Sequence, residues 1–189
     1  MKPGIDYIGV GTGAVIVNEE GKILLTRRGP KARNQVGKWE APGGRVEFGE
    51  TAKQTIIREI KEELDIDIRV NFLLGFVDDI IEEEKQHWVG TTWLASIVNG
   101  EPKIMEKENC DGLGWFSVEE ANDLPKSLTL QHDLEAYKNY LKTQKSPNIA
   151  PQEYFYPKST LSSFAKGAHF IFLAVIKNQV IPDSQLTIK

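Results

Sequence analysis

Three glutamates, Glu59, Glu62 and Glu63, have the spacing that brings side chains onto one face of a helix. At about 100° of rotation per residue, their carboxylates fall within an arc of roughly 100°. The neighbouring arc is apolar and consists of Ile56, Ile57, Ile60 and Leu64. The acidic stripe therefore borders the stripe that faces the core, instead of lying opposite to it.

This acidic face lacks the counter-charges that a solvated helix face usually carries. Like charges three or four residues apart repel by a few tenths of a kcal/mol, about 0.2–0.5 per pair. Glu63 stands four residues after Glu59, where a basic residue would relieve the repulsion, and only Glu62 has a basic partner, Arg58, one turn before it. A solvated face remains the alternative, but carboxylates clustered beside a core suit a hard divalent cation with oxygen ligands.

Residues 44–66 resemble the signature of the Nudix hydrolases, G-x5-E-x7-R-E-U-x-E-E-x-G-U, in which U is a bulky apolar residue. The matching positions are Gly44, Glu50, Arg58, Glu59, Ile60, Glu62, Glu63 and Ile66. The one departure is Asp65, where the family usually has glycine. A residue that follows a helix end often needs a positive φ angle, and Asp adopts it more readily than most residues. We therefore expect the site to survive this departure.

The resemblance implies a metal site with supporting residues. The expected metal ligands are Glu59, Glu62, Glu63 and a backbone carbonyl at Gly43 or Gly44, with Mg²⁺ as the ion and Mn²⁺ as a substitute. The expected catalytic residues are Glu59, Glu62, Glu108 and Arg58. Glu59 and Glu108 compete for the role of base, Glu106 is the second loop candidate, and Arg58 would hold the glutamates in place, with a supporting or ligating role for Glu50.

Four further residues are predicted to contact the substrate: Arg28, Trp39, Phe76 and His87. By resemblance to MutT-like members, the end of the Thr26-Arg27-Arg28 strand lies beside the phosphates of the nucleotide. The alternative is a pair of solvated charges. Phe76 and His87 offer stacking surfaces for a base, and Trp39 offers a wall of the cleft, with packing in the core as the alternative for each.

The resemblance implies hydrolysis of a phosphoanhydride bond, and the best match is to MutT-like enzymes that split nucleoside triphosphates into monophosphate and pyrophosphate. ADP-ribose or a nucleotide sugar is the alternative substrate. Relatives that act on ADP-ribose often carry a proline about sixteen residues after the signature, where Ile81 and Glu82 stand here. Two alternatives belong to other functional classes. One is a nucleotide-binding module without catalysis, and the other is a structural protein that recruits a partner. The signature retains all its glutamates, which disfavours the first of these.

The pattern of the remaining chain favours an α/β fold, and the resemblance implies an α/β/α sandwich with a mixed central sheet over about residues 7–143. Residues 10–18 and 22–27 predict a β-hairpin, with GAVIV buried on both faces. Thr51 and Gln54 predict a capping box that begins a helix ending near Leu64. Further elements are expected at residues 68–80 and 87–98 (strands), at Ser117 (a second capping box) and at 129–142 (a helix).

Composition limits the class of protein and its environment. A chain of 189 residues with a net charge of −4 can hold one domain and an appendage, and lacks the basic surface of a nucleic-acid binder. One cysteine, Cys110, and an N-terminus without a signal-peptide pattern favour a cytoplasmic location. We divide the chain into a domain, 1–143, and an extension, 144–189. Its apolar stretch, 168–176, is too short to span a membrane and is expected to pack on the domain or in a homodimer.

Overall fold

A computed structural model describes residues 1–145, and the predictions made for residues 146–189 lie outside the described residues. The described part has seven strands, three α-helices and a 3₁₀ turn at Glu82–Glu84. The strands are β1 (Gly9–Ile16), β2 (Ile23–Arg28), β3 (Trp39–Glu40), β4 (Gly43–Arg45), β5 (Asp67–Ile81), β6 (Gln86–Asn99) and β7 (Cys110–Phe116). The helices are α1 (Ala52–Leu64), α2 (Val118–Asp123) and α3 (Leu128–Lys145).

Two sheets form the framework. One has the strand order β4-β1-β6-β5, and the other has the order β3-β2-β7. The first sheet is mixed, because β1 runs parallel to β6 while its other pairs are antiparallel. The mixed sheet between helices confirms the predicted fold class, and the two long strands and the last helix lie within a few residues of their predicted bounds.

The predicted hairpin of residues 10–18 and 22–27 is present only next to its turn, where an isolated antiparallel bridge joins Val17 and Ile23. The turn is present, since the Asn18 amide donates to the carbonyl of Lys22 at 3.0 Å. Beyond the turn the strands enter different sheets: β1 pairs with β4 and β6, and β2 pairs with β3 and β7. Ala14, Val15 and Ile16 of the GAVIV stretch are buried on both faces of β1, as predicted, and both edges of the strand are paired.

The side chains of β1 alternate between two cores. Ala14 and Ile16 belong to a cluster that includes Ile56, Ile60 and Leu64 of α1. Val15 points to the other face and joins a cluster that includes Leu130 and Leu134 of α3. Helix α1 therefore packs on one face of the sheet framework and α3 on the other, as in the expected sandwich.

Both ends of α1 are fixed by local contacts. Thr51 caps the N-terminus, its side chain accepts from the Gln54 amide, and the reciprocal contact completes the predicted capping box. Asp65 caps the C-terminus with a φ of 54°, and its amide donates to the Lys61 carbonyl. The left-handed conformation expected where the family has glycine is thus present with aspartate, and the helix keeps its place.

The Trp39–Glu40 and Gly43–Arg45 strands direct one stretch of chain to both sheets. β3 pairs with β2, whereas β4 pairs with β1, so the chain changes sheet within two residues. At the change, the carbonyl of Pro42 accepts from the Ala14 amide at 3.0 Å. As a result, Glu40 and Gly44 are held on separate sheets close to α1.

Candidate functional site

Glu59 of α1 is packed directly against Gly44 of β4. A Cβ atom built on Gly44 would lie 2.1 Å from the carboxyl carbon of Glu59 and 2.4 Å from its Oε1. The Glu59 side chain keeps only 16% of its surface exposed. Only glycine leaves room for the carboxylate in this position, which gives a physical reason for a glycine at the start of the signature.

Arg58 holds three glutamates from one guanidinium. Its Nε and Nη2 donate to the two carboxylate oxygens of Glu50 at 2.7 and 2.9 Å, which is a two-pronged contact. Nη1 donates to Glu62 at 3.0 Å, and Nη2 lies 3.1 Å from Glu59. The hydrogen bonds from Arg58, with one from Thr55, lower the pKa of Glu50 to about 2. These charge-assisted contacts hold the three glutamates around one guanidinium, and the positioning role of Arg58 stays a prediction.

Glu63 is the most perturbed carboxyl of the signature. Burial raises its pKa to about 8, and the negative charges of Glu59, Glu40 and Glu106 raise it in addition. Burial also raises the pKa of Glu59, while the neighbouring Arg58 opposes the shift. Both carboxylates are thus disfavoured as anions by desolvation and by other carboxylates, and a nearby cation would stabilise them.

The donor set fits a hard divalent cation, although it is not gathered into a finished metal site. Within residues 1–145, no three His, Cys, Asp or Glu side chains meet closely enough to hold a metal ion. Glu59 and Glu63 provide partly desolvated carboxylate oxygens, and oxygen is the ligand that Mg²⁺ and Mn²⁺ prefer. Glu59 has Arg58 as an ion-pair partner at 3.1 Å, whereas Glu63 has no ion pair within 4 Å among residues 1–145. Glu62 is engaged by Arg58 and has 56% of its side chain exposed, so its carboxylate can turn to a metal only by leaving that contact.

The loop before β7 offers Glu106 to the site in preference to Glu108. Glu108 is exposed, and its carboxylate accepts from the Lys31 ammonium at 2.6 Å. Glu106 lies close enough to Glu63 to raise the pKa of that residue, and it accepts from the Asn109 amide at 2.8 Å. These contacts favour Glu106 over Glu108 as the loop carboxylate of the site, and the choice between the two stays a prediction.

Arg28 reaches the edge of the site but is already engaged. Its Nε donates to the Asn34 carbonyl at 2.6 Å, and its Nη1 pairs with Glu40. Its positive charge lowers the pKa of Glu63, in opposition to the larger effects that raise it. The position agrees with the expectation for the end of this strand, although a substrate contact would compete with Glu40.

The aromatic candidates lie outside the group of carboxylates. Trp39 packs edge-to-face on Phe116, with 5.0 Å between ring centroids, and belongs to the α3 core. Phe76 is 40% exposed on β5, and two strands separate it from Gly44, which is about 14 Å at normal strand spacing. His87 has its Nε2 2.7 Å from an Asp78 carboxylate oxygen.

The structure adds two residues that the sequence reasoning missed, Glu40 and Arg33. Glu40 pairs with Arg28 and raises the pKa of Glu63. The position of Glu40 shortly before the Pro42-Gly43-Gly44 turn is the sequence feature from which its proximity to the site could have been predicted. The guanidinium carbon of Arg33 lies 4.7 Å from the ring centroid of Trp88. No spacing rule in the polar loop distinguishes Arg33 from its neighbours.

A second acidic group ties α3 to the sheet on the opposite face. Asp133 is 1% exposed and accepts from the Thr92 hydroxyl at 2.5 Å. Burial and the charge of Asp79 raise the pKa of Asp133 to about 7, although the bond from Thr92 lowers it. Asp79 accepts from the Thr129 hydroxyl and is 2.9 Å from Nδ1 of His132. This cluster is fully engaged in joining β5, β6 and α3.

Cys110 has no sign of reactivity, because burial raises the pKa of its thiol and its Sγ donates to the Gly112 carbonyl. Along residues 1–145, every helix falls short of the length and apolarity required to cross a bilayer.

A sequence model of the NUDIX domain matches residues 8–139. A CTP pyrophosphohydrolase of Escherichia coli is 46% identical over 112 residues, which are 59% of this chain and 78% of that protein. An ADP-ribose pyrophosphatase of Methanocaldococcus jannaschii is 31% identical over 127 residues, which are 67% of this chain and 70% of that protein. Among solved structures, a MutT NUDIX hydrolase from Burkholderia pseudomallei superposes with a TM-score of 0.64 and 36% identity, and covers 69% of this chain and 98% of its own.

Proposed function

This chain belongs to the Nudix hydrolase family, whose members act on phosphoanhydride bonds of nucleotides with a divalent metal, and we propose that its substrate is a (deoxy)nucleoside triphosphate. The products are the nucleoside monophosphate and pyrophosphate. The observation that carries this proposal is that two partly buried carboxylates, those of Glu59 and Glu63, have raised pKa values. Three arginines, Arg28, Arg33 and Arg45, lie close enough for their charges to interact. The 46% identity to a CTP pyrophosphohydrolase supports a triphosphate and makes CTP the first nucleotide to test.

We assign the metal to Glu59, Glu62, Glu63 and the backbone at Gly44, with Mg²⁺ as the ion and Mn²⁺ as its substitute. A bound divalent ion supplies charge neutralisation and acidifies a bound water. Glu63 must release its proton to serve as a ligand, because its pKa in the metal-free protein is about 8. This proton release makes metal affinity rise with pH through that range.

The reaction breaks a bridging P–O bond and forms a new P–O bond to a water oxygen. The water proton passes to a carboxylate, and Glu59 is our candidate for that base because a raised pKa strengthens it as a proton acceptor. Glu106 is the competing candidate, and Glu108 is third because Lys31 holds it outside the cluster. Arg58 fixes the orientation of Glu59 and Glu62, and Glu50 in turn fixes Arg58.

ADP-ribose is the second candidate substrate, favoured by the Methanocaldococcus relative, which is an ADP-ribose pyrophosphatase and is matched over 70% of its length. Hydrolysis of ADP-ribose needs the same carboxylates but places a sugar where a triphosphate has its terminal phosphate. A cytoplasmic location, a homodimer and the division at residue 143 stay predictions.

A substrate panel tests the proposal. The full chain is incubated with Mg²⁺ or Mn²⁺ and with CTP, other nucleoside triphosphates, oxidised nucleotides, ADP-ribose or dinucleoside polyphosphates, and released phosphate and pyrophosphate are measured. We expect pyrophosphate from a triphosphate at the highest kcat/KM. Preference for ADP-ribose would replace the proposed substrate, and no turnover of any compound would favour a binding module.

Glu62→Gln and Glu63→Gln test the assignment of the site within that panel. Each is expected to abolish metal-dependent turnover and to leave the circular dichroism spectrum unchanged, because glutamine keeps the size of the side chain but cannot form the anionic oxygen ligand that a hard divalent cation prefers. Near-normal turnover by both variants would refute the assignment.

A further inference from the structure

Among residues 1–145, Arg33 is an arginine without a carboxylate partner. Six arginines lie in the described part of the chain, and four of them, Arg27, Arg28, Arg45 and Arg58, have carboxylates within 4 Å. Arg33 and Arg69 have none within that distance among residues 1–145. A guanidinium has five N–H donors in a planar fork, so an unpaired guanidinium beside a catalytic cluster is available for an anionic ligand.

The guanidinium of Arg33 lies among charges of the site. Desolvation lowers its pKa, and repulsion from Arg45 and Arg28 lowers it further, whereas Glu59 and Glu40 raise it. The residue as a whole is exposed, while its guanidinium carbon lies 4.7 Å from the ring centroid of Trp88. Arg28 and Arg45 thus lie near enough to Arg33 for their charges to interact, although Arg28 pairs with Glu40 and Arg45 pairs with Glu47 at 3.4 Å. An anion bound between the three guanidinium groups would relieve the repulsion that remains.

The loop that carries Arg33 is held by a buried amide network. Asn34 donates from Nδ2 to Oε1 of Gln86 at 2.9 Å, and the same oxygen accepts from Nε1 of Trp88 at 2.8 Å. Nε2 of Gln86 donates to the backbone carbonyl of Arg33 at 3.3 Å. Because Trp88 is both the stacking surface of Arg33 and a member of this network, the cation is placed before any ligand arrives.

We propose that Arg33, with Arg28 and Arg45, binds the terminal phosphates of the nucleoside triphosphate, which makes it a residue that selects triphosphates. This inference rests on the proposed function and deepens it. A nucleoside triphosphate carries a dense negative charge beyond its α-phosphate, whereas ADP-ribose ends in a neutral ribose. Arg33 therefore contributes to the binding of triphosphates and of released pyrophosphate, and much less to the binding of ADP-ribose.

The test compares Arg33→Gln with Arg69→Gln in the full chain. Arg69 is the matched control, because it is exposed, lacks a carboxylate partner and pairs with Ser96, far along β6 from Trp88. Binding of inorganic pyrophosphate in the presence of Mg²⁺ is measured by calorimetry, and KM and kcat are measured for CTP and ADP-ribose. For Arg33→Gln we expect a rise of about 10-fold to 100-fold in the pyrophosphate Kd and in the KM for CTP, the usual effect of losing a charge-assisted hydrogen bond.

Arg33→Gln should leave kcat within about twofold, and Arg69→Gln should leave every constant unchanged. Arg33→Lys, which keeps the charge, should recover part of the pyrophosphate affinity and provides a second variant if Arg33→Gln lowers the Tm. Equal pyrophosphate affinity of wild type and Arg33→Gln would overturn the inference even if CTP is the substrate. Weakened pyrophosphate binding in a protein that does not hydrolyse triphosphates would support the anion site and refute the proposed function.

Discussion

The contact between Gly44 and Glu59 yields a prediction for Gly44→Ala. The added Cβ would lie 2.1 Å from the Glu59 carboxyl carbon, whereas ordinary contacts of this kind are 3.4–4 Å. The carboxylate must therefore move by at least about 1.3 Å, and a misplacement of about 1 Å at a reacting centre can lower a rate about 100-fold. The clash meets the end of a flexible side chain, so the fold should absorb it.

The assay measures kcat/KM on the preferred nucleotide of the panel together with the Tm of the full-length variant. We expect Gly44→Ala to lose activity by about 100-fold while its Tm stays within a few degrees of wild type, because the alanine fits the extended backbone of β4. Gly13→Ala is the matched control on the adjacent strand. There the new Cβ would have its nearest neighbour at 3.8 Å, an ordinary contact, and activity should stay near that of wild type.

Wild-type activity in a folded Gly44→Ala protein would show that the position of the Glu59 carboxylate does not limit the reaction. The role of Glu59 as ligand and base would then be refuted. Equal losses in Gly44→Ala and Gly13→Ala would instead show a general sensitivity of this sheet to added volume.

Three further predictions follow from the same contacts. Arg58→Lys keeps the charge but loses the two-pronged contact, so kcat should fall about 10-fold to 100-fold with little change in Tm. Glu106→Gln should lower kcat more than Glu108→Gln, and the reverse order in steady-state kinetics would restore Glu108 as the loop candidate. Because the pKa of Asp133 is raised, the folded protein binds one more proton than the unfolded chain between about pH 4 and pH 7. The free energy of unfolding of the protein therefore falls as the pH rises through that window, by up to about 1.4 kcal/mol per pH unit. Asp133→Asn should flatten this decline in urea unfolding of the metal-free protein, and parallel pH profiles would contradict the assignment.

Features set by neighbouring residues could be predicted from the sequence. The capping box of Thr51, the end of α1 at Leu64 and the left-handed Asp65 each depend on residues within one turn, and the structure has all three. The acidic stripe of Glu59, Glu62 and Glu63 could likewise be predicted, because helical spacing alone determines which side chains share a face.

Features that depend on pairing between distant residues could not be predicted from the sequence. The turn at Asn18 gave no indication that β1 would leave β2 and pair with β6, because turn chemistry does not report on distant partners. Arg33 is distinguished from its neighbours only by its proximity to Trp88, Arg28 and Arg45 in the folded chain. The loop that carries it has no periodic pattern from which this position could be predicted. The choice between Glu106 and Glu108 as the loop carboxylate also depends on the position of Lys31, which pairs with Glu108. No rule based on neighbouring residues predicts that position.

The parallel pairing of β1 with β6 has a consequence for the order in which the molecule folds. Gly9 pairs with Trp88, 79 residues further along the chain. Closing so long a loop carries an entropic cost before any contact compensates it, which slows folding. Gly44 pairs with Thr12, which is 32 residues away, so we expect the contact between Gly44 and Glu59 to form after the local contacts of helix α1. During refolding, helical signal should therefore return before enzyme activity does.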